Sequence, residues 1–127
     1  MGGTLRGAWS RLKPLLEAAM KAKMAAGAKA DQQKTNHAID EFIRKFAPVM
    51  AEFENIYKAK EQLNNRFRAA ADQGMKLLQP LQQQVEAAHK DGFNADSSLE
   101  ENLEGRLSEV MGLLKELHSD GCGTQWD

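Results

Sequence analysis

Three histidines and one cysteine are the residues of this 127-residue chain best suited to catalysis or metal binding: His37, His89, His118 and Cys122. A zinc site within one segment asks for histidines one helical turn apart, for HExxH, or for a CxxC pair, so that the ligands converge on one face. None of these spacings occurs. His118-Ser119-Asp120-Gly121-Cys122 alternates three ligand types, but a histidine at a helix C-terminus followed by a glycine turn accounts for the same residues. A Cys/His nucleophile pair also needs an orienting third group and an oxyanion site, and nothing nominates either. A di-metal carboxylate bundle needs Glu-x-x-His on two helices. Glu86-Ala87-Ala88-His89 supplies it once, which a solvated helix face explains more simply. The sequence therefore reads as that of a non-enzyme, with no catalytic, cofactor-binding or metal-binding residue and no cofactor.

The elements that would position these residues are helices. Ala, Leu, Glu, Lys and Gln dominate, all of which lose little rotamer freedom in a helix, whereas aromatics make up only 6%. No run of Val, Ile and Thr alternates with polar residues, so there is no strand candidate and no Gly-rich phosphate loop after one. The fold class is all-α, in one domain spanning 1–127. A single cysteine excludes an internal disulfide framework. No apolar stretch approaches the ~18 residues needed to cross a bilayer, and the first residues lack the apolar core of a secretory signal. Met1-Gly2 opens like an N-myristoylation signal, but that pattern wants Ser or Thr where Arg6 stands.

The best-specified stretch is Ile39 to Ala88. Ile39, Phe42, Phe46, Val49, Phe53, Ile56, Leu63 and Phe67 recur at steps of three and four, with a missing member at Lys60, and Leu77, Leu81 and Ala88 continue more weakly. This spacing lays one apolar stripe along a helix that other helices must cover. Four of the eight clear members are Phe, too bulky for a two-stranded coiled coil, so at least three helices should surround the stripe. The expected architecture is a bundle of about three main helices, over residues 10–30, 36–90 and 98–118, with a tail at 119–127. Ser10 is the candidate N-cap of the first, with Pro14 in its first turn. The central helix is expected to be long, coiled-coil-like and kinked near Pro48, with a real break at Gly74/Pro80, where the stripe shifts through Phe67, Ala71, Met75 and Leu78. A connection is expected between Gly27 and Asn36. Gly92 and Ser97 or Ser98 mark the turn into the last helix, whose stripe is Leu99, Leu103, Leu107, Val110, Leu114 and Leu117.

Charge is separated along the chain. Residues 1–30 carry six basic side chains against Glu17 alone, residues 31–91 balance, and residues 92–127 carry Arg106 and Lys115 against eight acids. A basic first helix and an acidic last helix can lie side by side in one molecule, or join head to tail between molecules. The functional expectation is a protein–protein interaction module, a small scaffold or accessory subunit that packs against other chains as a homo- or hetero-oligomer. The residues nominated for partner contact are Phe42, Phe46, Phe53, Ile56 and Phe67, with Trp9, Trp126 and Cys122 as terminal contacts. For each, filling the chain's own core is the competing role. The alternative function is a peripheral membrane protein whose basic amphipathic N-terminal helix binds anionic lipid. Nucleic acid is disfavoured, because the basic segment lacks interleaved aromatics and the rest is neutral to acidic. The expected location is intracellular, soluble or peripheral to a membrane, and the acid-poor, basic first segment leaves an organelle open.

Overall fold

Thr4 begins the first helix. Its Oγ1 accepts a hydrogen bond from the Gly7 amide at 3.0 Å and its carbonyl accepts from the Ala8 amide at 2.9 Å, which satisfies two donors that a helix start leaves unpaired. The computed structural model describes residues 4–25, 30–59, 64–90 and 97–120. They form four helices: α1 (Leu5–Ala25), α2 (Ala30–Lys58), α3 (Asn64–Lys90) and α4 (Ser97–Asp120). Ser10, expected to be the N-cap, lies inside α1, and Pro14 falls in its interior rather than its first turn. The earlier start follows from Leu5 and Ala8, which are buried and extend the apolar face beyond Leu12, Leu16 and Ala19.

The fold is an all-α four-helix bundle, not three main helices. α1 packs on α2 and α4, and α3 packs on α2 and α4, so the helices form a ring of antiparallel neighbours. Among the described residues the seam between α1 and α2 is the least extensive of the four. The central segment divides after Lys58, where the stripe loses its member at residue 60, and resumes at Asn64. The Ala59 amide still bonds the Asn55 carbonyl at 3.1 Å, closing the last turn of α2. The break expected at Gly74/Pro80 is absent, and α2 and α3 run through Pro48 and Pro80 respectively. Both prolines are exposed, so the carbonyl that each deprives of a ladder partner can be hydrated. The polar run 31–36, expected to connect helices, is the first part of α2. Gly27, Leu63 and Gly92 lie outside the described residues.

The α2 stripe is buried as its spacing predicts: Ile39, Phe42, Phe46, Val49, Phe53 and Ile56, joined by Met50. On α3 the buried set is Ala70, Ala71, Gly74, Leu78, Leu81 and Val85, with Phe67, Met75 and Leu77 at the edge. The apparent phase slip reflects a separate helix with its own inward face. Gly74 explains its own residue type. A Cβ there would stand 3.2 Å from Leu114 Cδ1, Leu114 Cδ2 and Phe46 Cε2, so its helix approaches both neighbours too closely for a methyl group to enter freely. On α4, Leu103, Leu107, Val110, Leu114 and Leu117 are buried and Leu99 is partly so, with Leu113 added. No described helix is long and apolar enough to cross a membrane.

Candidate functional site

Four of the residues nominated for partner contact, Phe42, Phe46, Phe53 and Ile56, are shut inside the chain's own bundle. Trp9 is half-buried, and its ring lies 4.9 Å from Phe46 and 6.1 Å edge-on to Phe42, which itself stacks on Phe46 at 4.8 Å. Phe67 is half-buried and stacks on Phe53 at 6.1 Å. These distances fit the offset and edge-to-face geometry that aromatic pairs prefer. The structure thus gathers Trp9, Phe42 and Phe46 into one aromatic cluster and Phe53 with Phe67 into another. Trp126 and Cys122 lie outside the described residues. His37 and His118 are exposed. Among the described residues no group of three or more His, Cys, Asp or Glu side chains could hold a metal ion.

The charge separation places α1 beside α4. Arg11 of α1 donates to Glu109 of α4 at 2.6 Å, and Arg106 donates to the other carboxylate oxygen of Glu109 at 2.8 Å. Partial burial pushes the Glu109 carboxyl up. Hydrogen bonds from Arg106 and Arg11 and their positive charges outweigh that push and hold it below its ordinary value. Arg66 bridges α3 to Glu52 of α2 in the same way. Arg44 with Asp40 and Glu41, Lys58 with Glu54, and Lys76 with Asp72 are exposed pairs within single helices. Such solvent-screened pairs contribute little to stability.

Two buried polar residues interrupt the apolar face of α2 near its start, Thr35 and Asn36. Asn36 Oδ1 is buried with no hydrogen-bond partner. An amide oxygen in that state costs free energy that an apolar group of the same shape would not.

The outward side of the α2–α3 seam is an open groove of about 180 Å³. α2 lines it with Ala38, Glu41, Phe42 and Lys45, and α3 with Leu77, Pro80, Leu81 and Gln84, together with Lys76. Its floor is apolar. Lys45 stands over one wall and Lys76 over the other, held by Glu41 at 3.5 Å and Asp72 at 3.0 Å. Pro80 offers no amide, so the Lys76 carbonyl lacks its ladder donor beside this groove. The arrangement offers apolar contact, two ammonium groups and a backbone acceptor, but no nucleophile.

No family model, curated protein or solved structure matches this chain.

Sequence reasoning missed the groove because it carried one helix from Ala38 past Lys58 and put the break at Gly74/Pro80, inside what is α3. The signal was nevertheless there. Ala38, Glu41, Phe42 and Lys45 repeat at positions 0, 3, 4 and 7, and so do Leu77, Pro80, Leu81 and Gln84. Two such quartets are the facing flanks of two helices once the chain is divided at Lys58.

Proposed function

We propose that this protein is a non-enzymatic helical interaction module, a scaffold or accessory subunit that seats a partner protein's amphipathic helix along the α2–α3 groove. The observation that supports this reading is the open apolar floor of Ala38, Phe42, Leu77 and Leu81 between Lys45 and Lys76. A helix laid in a groove offers apolar anchors at i and i+4, and carboxylates flanking them would face the two lysines. Both lysines now hold exposed carboxylates one turn away on their own helices, and such weak pairs exchange at little cost. The buried Phe42 supports the floor from below rather than reaching out.

The test is a titration followed by NMR, using a synthetic helical peptide with leucines at i and i+4 flanked by glutamates. Shift changes confined to Ala38, Leu77 and Leu81, and abolished by Lys45→Glu with Lys76→Glu, are the expected result. Both side chains are well exposed, so the double variant should keep the helical circular dichroism of the parent. Changes elsewhere on the bundle, or none at all, overturn the reading.

A further inference from the structure

Beside the apolar floor of the α2–α3 groove stands an acceptor that its own helix leaves unused. Pro80 offers no amide, so the Lys76 carbonyl lacks its ladder donor. The groove therefore asks three things of an occupant. These are an apolar body for Ala38, Leu77 and Leu81, an N–H donor for the Lys76 carbonyl, and a carboxylate for Lys45 or Lys76. Its volume of about 180 Å³ is below the ~300–1,000 Å³ of pockets that enclose a small molecule, so it suits one large side chain. Tryptophan meets the first two demands in a single residue, because its apolar rings carry a donor at their edge.

The chain has two tryptophans. Trp9 is committed to Phe42 and Phe46. Trp126 is followed directly by Asp127, which supplies the carboxylate. Where α4 ends decides whether this pair can arrive. Arg68 of α3 donates to the Ser119 carbonyl at 3.3 Å, which places the last turn of α4 beside α3. Arg68 and Lys76 are eight residues apart, or ~12 Å along α3 at ~1.5 Å per residue. The six residues from Asp120 to Trp126 can span ~20 Å when extended. A helix is ~10–12 Å across with its side chains, so this length covers both the rise and the passage over the outer face of α3.

We propose that Trp126 seats in the α2–α3 groove of its own chain, with Asp127 turned to the groove's lysines, and so regulates entry of a partner helix. The inference rests on the reading of that groove as a docking site, and gives it a resident occupant that a partner has to displace. Tethering makes even a weak contact count, since a short link supplies an effective concentration on the order of 1 mM.

The experiment uses the full chain with isotope-labelled methyl groups, followed by NMR. The expected result is nuclear Overhauser contacts from the Trp126 indole protons to the methyls of Ala38, Leu77 and Leu81, all lost in Trp126→Ala. That variant should keep the circular dichroism of the parent. It should also bind the glutamate-flanked leucine peptide at least ~2-fold more tightly, because the groove is no longer occupied part of the time. Absence of contact between Trp126 and these methyls overturns the proposal. So does contact found only between differently labelled copies, which assigns the tail to a second molecule. Equal, measurable peptide binding by parent and variant overturns it as well. The two readings fail separately. Peptide bound in the groove while Trp126 touches none of these methyls leaves the docking site standing and removes the tail from it. Indole contacts with no peptide binding to either chain overturn the partner helix and uphold the seating of Trp126.

Discussion

At Gly74 three helices come so close that a methyl group would press on Phe46 and Leu114, while α2 carries a buried amide oxygen at Asn36 that pairs with nothing. The two places lie in one bundle of 127 residues, yet they answer different demands. The first leaves no free room for a methyl group, so volume changes there are felt at once. The second lies on α2, whose seam with α1 is the least extensive of the four among the described residues.

The largest effect should come from emptying the tight region. Phe46 is fully buried and touches the rings of Trp9 and Phe42, so Phe46→Ala should cost ~4 kcal/mol in urea unfolding. A loss under 1 kcal/mol would show that the cluster is not the centre of the fold. Overfilling the same region comes next. Gly74→Leu should destabilise by ~3 kcal/mol despite removing a glycine from a helix interior, because the new side chain has no free volume. A gain in thermal melting instead would show that Leu114 and Phe46 make room for the new side chain.

Native-state hydrogen exchange compares the regions directly. Amides in α1 should open at a free energy at least ~2 kcal/mol below those of α3, and equal protection in both helices would erase the distinction. Asn36→Leu should stabilise by ~1 kcal/mol in urea unfolding by removing the unpaired oxygen, and a loss instead would show that the oxygen has a partner. The smallest effect is that of pH. Glu109 ionises below its ordinary value in the folded chain, so its contribution is complete above the unfolded value of about 4.3. It disappears as pH falls through the folded value. The loss should be ~0.5 kcal/mol, visible as a difference between the parent and Glu109→Gln that closes in acid.

The helical class, the stripes of α2 and α4, and the pairing of a basic with an acidic helix were all legible in the residues. Each rests on spacing or charge that survives any tertiary arrangement. The division of the central helix was not legible, because glycine and proline are read as breakers wherever they fall. Pro48 and Pro80 face solvent, and Gly74 serves close packing, so none of them ends a helix. Instead α2 ends at Lys58, two residues before the position where the stripe lacks an apolar member, and α3 begins at Asn64. A missing contact proved more informative than a present breaker. The groove was hidden by the same error, since two flanks cannot face each other along one helix. Asn36 was equally hidden: composition does not show whether a polar side chain finds a donor.

The sharing of Glu109 between two arginines has one more consequence. If Arg11 withdraws, Arg106 stays on the carboxylate, so the half-buried acid is never left without a counter-charge. Many helix interfaces latch because parting them strands an ion, and the stranded ion makes the open form short-lived. Here the hand-off is arranged in advance within α4. Losing the Arg11 contact alone would therefore leave Glu109 paired within its own helix.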